Sequence, residues 1–294
     1  MSKYSNFAIV TSFFGLWINS YLPDNVQVWV GYILIFTFGI LHGANDLELI
    51  KNVKTKDNTL HFYKVLMYYI IIVLAGAVLF YIIPWLALTL FVLVSGYHFG
   101  EQQWNKHLKL ENQFVKIVFQ MLYGLIILFL IFSFHVKEVQ IIITAITSLV
   151  IPIPFFFLVL KILLISFFLL SSVFYFKIAT FKNYIFKELF YLIIFTVLFK
   201  VSSLIWGFAL YFIFWHSIPS IIDQIKFLFG EVSLENLKLY FRSAFVYWIV
   251  SLAGIALLYF IFKDQKIFNA LFFSFLASIT FPHVIVILKM FGKK

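Results

Sequence analysis

The chain has 294 residues, of which 64% are hydrophobic and only 12% charged, whereas a soluble domain carries about 25% charged residues. So little polar surface cannot cover a water-exposed body, which excludes an ordinary soluble globule. Cysteine is absent, which excludes disulfides, iron–sulfur clusters, thiolate zinc sites and cysteine nucleophiles. The net charge of +10 comes from 22 basic residues, all but Arg242 being lysines scattered between apolar runs, a pattern that suits anionic lipid headgroups and not nucleic acid.

Crossing roughly 30 Å of hydrocarbon takes about 20 apolar residues. The start, with Lys3 ahead of the run Phe7–Tyr21, reads as an uncleaved first span that also acts as the targeting signal. Spans follow near Val28–Asp46, Lys64–Ile83, Trp85–Glu101 and Phe114–Phe134. Val139–Pro154 is short and ends in the breaker Pro152-Ile153-Pro154. The remaining spans lie near Phe155–Phe176, Tyr184–Val201, Leu204–Asp223, Ala244–Phe262 and Ile267–Leu288. Cytoplasmic loops carry the Lys/Arg excess. If Val139–Pro154 does not cross, a chain starting inside leaves only Lys137, Lys161, Lys200, Lys263 and Lys266 outside; if it crosses, the division is nearly even. The expected fold is therefore all-α. It is a single helical domain over 1–294 with about ten transmembrane helices in the cell membrane and both termini cytoplasmic.

Of the seven histidines, His61, His107 and His135 fall in or beside loops, where a solvated role is expected. The other four lie inside apolar spans. His42 is four residues before Asp46, His98 three before Glu101, His216 seven before Asp223 and His283 six before Lys289. All four fall toward the cytoplasmic ends of spans that run in the same direction. At 1.5 Å per residue they share one slab roughly 5–10 Å inside that edge. Buried ionisable groups are costly and usually face a bundle interior with partners. Four separate histidines, each bonded to a nearby carbonyl or hydroxyl, would be the plain arrangement; a shared metal explains the common depth better. Neutral imidazoles suit iron, copper or zinc. Asp46, Glu101 and Asp223 stand about one or two helical turns on, where a carboxylate can take the second ring N–H of a ligating histidine. Gly39, Gly43, Gly96 and Gly100 permit close helix approach. His42-Gly43 and Pro282-His283 also suit a local helix break.

Four segments carry a resemblance: His42-Gly43-Ala44-Asn45-Asp46, Ser95-Gly96-Tyr97-His98-Phe99-Gly100-Glu101, Trp215-His216-Ser217 and Thr280-Phe281-Pro282-His283. In order and spacing the chain resembles the Brp/Blh family of membrane-bound β-carotene dioxygenases, which are linked to bacteriorhodopsin-type photosystems. The resemblance implies cleavage of β-carotene at its central double bond with O2 to two retinals, on Fe(II) held by His42, His98, His216 and His283. Its product would serve a microbial rhodopsin. The family pattern carries a second histidine four residues after the first in the third motif; here that position is Ser220. His283, Asp223 or water is left to complete the ligand set. Such a hydrocarbon substrate offers no polar handle, so shape and apolar contact must recognise it. Tyr97, Phe99, Trp104, Trp215 and Phe281 are the candidate tunnel aromatics. A membrane desaturase or hydroxylase is the nearest enzymatic alternative, but the chain has no HxxxH pair. A transporter using the histidines as an ion or proton relay would call for acids at mid-membrane and an inverted repeat, and neither is visible.

Overall fold

A computed structural model describes residues 3–52, 58–108, 110–261 and 265–291, and every regular element among them is helical. In chain order, α1 (Lys3–Asn19) is followed by α2 (Asp24–Leu34), which runs into a π-helical segment, Ile35–Gly39, and a turn over 42–45. Next come α3 (Asp46–Asn52), α4 (Asn58–Ile82), α5 (Pro84–Trp104), α6 (Gln113–Phe134), α7 (Val136–Thr147), α8 (Ile153–Lys177) and α9 (Ala179–Val201). A long stretch comes after them as α10 (Leu204–Tyr211), a second π-helical segment, Phe212–Ser217, and α11 (Ile218–Phe229). It is succeeded by α12 (Leu234–Ile261) and α13 (Gln265–Phe291). Phe262 and Lys263 lie outside the described residues, as do the side chains of His61 and Lys266.

Among the described residues, five helical stretches are long and apolar enough to cross a membrane: Tyr63–Ile82, Gln113–Phe134, Ile153–Lys177, Leu204–Phe229 and Leu234–Ile261. By contrast α7, with 12 residues, is about 18 Å long at 1.5 Å per residue and falls short of the roughly 30 Å of a bilayer core. Local chemistry sets several ends. The Asn112 side chain accepts from the Val115 N–H at 3.2 Å and caps α6, the usual use of Asn at a helix start. Pro152 and Pro154 open α8, where a missing N–H costs the ladder nothing. Gly230, at φ 86°, closes α11 in the left-handed region that glycine adopts without steric penalty. Pro219 has no N–H for the carbonyl of Trp215, so the regular ladder fails just where the second π segment ends. The expected break at Pro282 does not occur; α13 runs through it.

The helices gather into two compact units. The first comprises Met1–Tyr32, Val92–Ile141 and Val150–His216. In it α6 packs against α8 and α9, α8 against α9, and α1 and α10 also lie on α9. Phe119 is the centre of an aromatic cluster, its ring 5.0 Å from Trp104, 5.2 Å from Phe167, 5.1 Å from Phe174 and 5.6 Å from Phe181. Gly100 lies against the Gln120 backbone and Gly124 against that of Gly96, so α5 and α6 touch main chain to main chain. A Cβ at either position would occupy its neighbour's carbonyl.

The second unit comprises Ile33–Phe91, Ile142–Leu149 and Ser217–Lys294. Here α13 packs on α4, α3 and α12, while α11 packs on α3 and α12. Leu47, Leu49 and Ile50 of α3 meet Val286, Ile287 and Met290 of α13. Leu41, Ile221 and Ile225 meet Tyr240 and Ala244 of α12.

Candidate active site

In the first unit, His98 of α5 and His216 of the second π segment are both buried, with ring centres 4.8 Å apart and planes at 82°. Apolar rings wall His216: Phe99 meets it edge-on at 4.8 Å and Phe212 stacks on it at 5.3 Å. Gln102, one turn beyond His98, bonds it twice. The amide Nε2 donates to the His216 carbonyl at 2.9 Å, and Oε1 bonds the ring Nδ1.

In the second unit, His42 lies in the turn that follows the first π segment, and His283 lies on α13. Their ring centres are 4.9 Å apart at 88°. Asp46, the first residue of α3 and 1% exposed, accepts from His283 Nδ1 at 2.7 Å through Oδ1 and from the Tyr69 hydroxyl at 3.0 Å through Oδ2. The turn itself is stitched down: Gln224 Nε2 donates to the His42 carbonyl at 2.8 Å and to Ser220 Oγ at 3.1 Å. The Tyr240 hydroxyl donates to Gln224 Oε1 at 2.7 Å. Asn45 Nδ2 donates to the Tyr240 carbonyl at 2.9 Å, and its Oδ1 accepts from Ser243 at 2.8 Å.

Each pair fits imidazoles that share a metal, since two rings bound at about 2.1 Å per nitrogen and roughly a right angle have centres about 5 Å apart. Nδ1 of His216 and of His283 is already engaged, which directs Nε2 to any metal, as outer partners of ligating histidines commonly do. Among the described residues, no group of three or more His, Asp or Glu side chains forms a metal cage. Within each unit a histidine pair and its anchor are the residues that could hold a metal.

The other expected site residues divide between the pairs and the packing. Asp46 bonds His283, which is remote in sequence, and not its near neighbour His42. Glu101 is buried on α5, and the next residue, Gln102, bonds His216. Asp223 is half-buried on α11, and the next residue, Gln224, bonds the His42 carbonyl. Phe99 lines His216. Tyr97 is half-buried on α5. Phe281 lies against Gly76 of α4. Trp215 lies between Tyr191 and Phe195, at 4.8 Å from each, with its indole N–H donated to Ser12 Oγ at 2.8 Å. Trp104 is fully buried in the aromatic cluster.

His135, expected in solvent, bonds the Phe199 carbonyl at 2.8 Å, and His107 stacks on Tyr184 at 3.9 Å. Sequence reasoning missed Gln102, Phe212, Gln224 and Glu188. Glu188, 2% exposed, accepts through one oxygen from Gln103 Nε2 at 2.7 Å and the Tyr123 hydroxyl at 3.0 Å. An acid inside the run Tyr184–Val201 was its only signal.

The profile of the beta-carotene 15,15'-dioxygenase family matches residues 33–291. No curated protein and no solved structure matches the chain.

Proposed function

Because the chain belongs to the beta-carotene 15,15'-dioxygenase family, and is therefore an oxidoreductase acting on β-carotene, we propose that it is an integral membrane enzyme that splits the central double bond with O2 into two all-trans-retinals, using Fe(II) held by His42, His98, His216 and His283. The observation that carries the iron reading is the pairing of four buried histidines at the separation expected of imidazoles on a shared metal. Their common depth in the sequence supports the same ligand set. His283 is preferred to Ser220 as the fourth ligand, because Asp46 anchors its Nδ1 while Ser220 accepts the Gln224 amide.

Bound iron supplies the activation of O2. Each carbon of the broken double bond takes one oxygen atom, so both atoms of O2 end in aldehydes and no outside reductant is consumed. The chain's own residues orient and enclose. Asp46 and Gln102 fix the ring planes of His283 and His216. Phe99 and Phe212 keep the surroundings of His216 apolar, which suits a polyene without polar groups. Tyr97, next to His98, is proposed as a further substrate contact in the first unit, and Phe281, two residues before His283, as one in the second.

Five apolar helices support a bilayer location. The remaining long helices bring the proposed number of spans to about ten, with α7 lying at the membrane surface and both termini in the cytoplasm. A microbial rhodopsin would consume the retinal.

The test is expression in bacteria engineered to make β-carotene, with pigment chromatography and a His98→Ala control. Loss of β-carotene with appearance of retinal, abolished in the control, is expected. Undiminished β-carotene beside folded, iron-loaded protein would refute the reading.

A further inference from the structure

Gln102 meets His216 at two points, and elementary hydrogen-bond chemistry makes that contact directional. A backbone carbonyl only accepts, so the atom of the Gln102 amide that faces the His216 carbonyl at 2.9 Å must be the NH2 group. The amide oxygen is then the atom that faces the ring. That oxygen only accepts as well, so His216 Nδ1 must carry the hydrogen. A neutral imidazole has one N–H, and Nε2 is left as the unprotonated nitrogen. This is the opposite of the tautomer that a free histidine favours in water. The second bond, to the main chain of the same residue, fixes the ring's swing as well as its proton.

We infer that Gln102 is a positioning residue that locks His216 in the Nδ1–H tautomer and so presents Nε2 for metal binding. The metal part rests on the iron reading given above; the tautomer lock is a property of the metal-free protein. A neutral amide anchors the ring without adding negative charge beside His98 and His216, whereas His283 is anchored by a carboxylate.

Two variants test the lock. Gln102→Leu removes both bonds, and Gln102→Glu keeps an acceptor for Nδ1. Metal-free protein labelled with 15N-histidine, in nanodiscs, reports the tautomer by long-range 1H–15N correlation, and titration with Co(II) reports affinity by visible absorption. Wild type is expected to show His216 with its proton on Nδ1. Gln102→Leu should lose that preference and bind Co(II) about ten- to a hundredfold more weakly, the usual cost of removing an outer partner of a ligating histidine. Gln102→Glu should keep the tautomer and recover most of the affinity. A wild-type proton on Nε2 would overturn the inference, as would a Gln102→Leu protein with unchanged tautomer and Co(II) affinity. Should Gln102→Leu not fold, the wild-type tautomer and Gln102→Glu decide. A wild type that takes up no Co(II) strikes the iron reading and this inference together. Equal binding by wild type and Gln102→Leu strikes this inference alone.

Discussion

Replacing Asp46 with alanine tests how the second histidine pair is held. The carboxylate is buried and accepts from His283 Nδ1 at 2.7 Å and from Tyr69 at 3.0 Å. Its removal strands two donors, and a buried unsatisfied donor costs about 1–3 kcal/mol. The imidazole N–H is fully enclosed and carries the upper part of that range. Tyr69 is half-buried, so its hydroxyl finds another partner more easily and carries the lower part. Loss of an acid from the first turn of α3 adds about 0.5 kcal/mol. The expected destabilisation is therefore about 3–4 kcal/mol, with retinal production lost as His283 turns. Tyr69→Phe alone should cost about 1 kcal/mol. In its background Asp46→Ala has one donor fewer to strand, so the two changes should fall short of additivity by about 1 kcal/mol. Equilibrium unfolding of the four proteins in mixed micelles measures the cycle. An Asp46→Ala cost below about 1 kcal/mol, or an additive cycle, would refute the argument.

Gly100→Ala should be poorly tolerated, at about 3 kcal/mol or outright misfolding, because the added Cβ enters the Gln120 backbone; Gly254→Ala, which meets open space, should not lower the yield of monodisperse protein. Glu188→Gln preserves an oxygen for both of its donors and should stay within about 1 kcal/mol of wild type, while Glu188→Leu strands Gln103 and Tyr123 and should cost about 2–4 kcal/mol in thermal unfolding. Burial, with the charges of Lys187 and Lys106 adding to it, holds His107 below its ordinary 6.5. The unfolded chain then binds the proton first, so its contribution to stability is complete above about 6.5 and is lost as pH falls from there through the lower value of the folded state. His107→Phe should flatten the fall in unfolding midpoint between about pH 7 and pH 5.

The helices were legible because a long apolar run has few alternatives. Phe114–Phe134 was expected, and α6 is Gln113–Phe134. The four buried histidines were visible for the same reason, as polar exceptions within such runs. Their partners were not. Asp46 lies four residues after His42, a spacing that aligns two side chains only on an unbroken helix. The turn over 42–45 breaks that helix, and Asp46 bonds a histidine 237 positions away. Near His98 and His216 the acids Glu101 and Asp223 drew notice because they carry charge. The amides next to them, Gln102 and Gln224, carry no charge to draw notice, yet Gln102 bonds His216 and Gln224 bonds the His42 carbonyl, since holding a ring or a carbonyl at a turn calls for a donor and an acceptor on one side chain. Polar residues that serve packing, such as Glu188 with Gln103, also dilute the hydropathy of α5 and α9. Together with the lysines of α9 and the shortness of α1, with 17 residues, and α2, with 11, this leaves fewer helices that qualify as spans than the run of apolar segments suggested.

The π-helical segment Phe212–Ser217 makes this region sensitive to length in a way that composition does not reveal. A π turn holds one residue more than the α turn it replaces. Deleting a single residue there would restore the tighter pitch, and residues within the segment, His216 among them, would shift by up to about 100° around the helix axis, the angular step of 3.6 residues per turn. Hydropathy would hardly change, and the helix would remain as apolar as before. Yet His216 would leave the reach of Gln102. Apolar substitutions at Ile213 or Phe214 should thus be borne more readily than gaps, and a related sequence one residue shorter at this point would have to hold its histidine by other means.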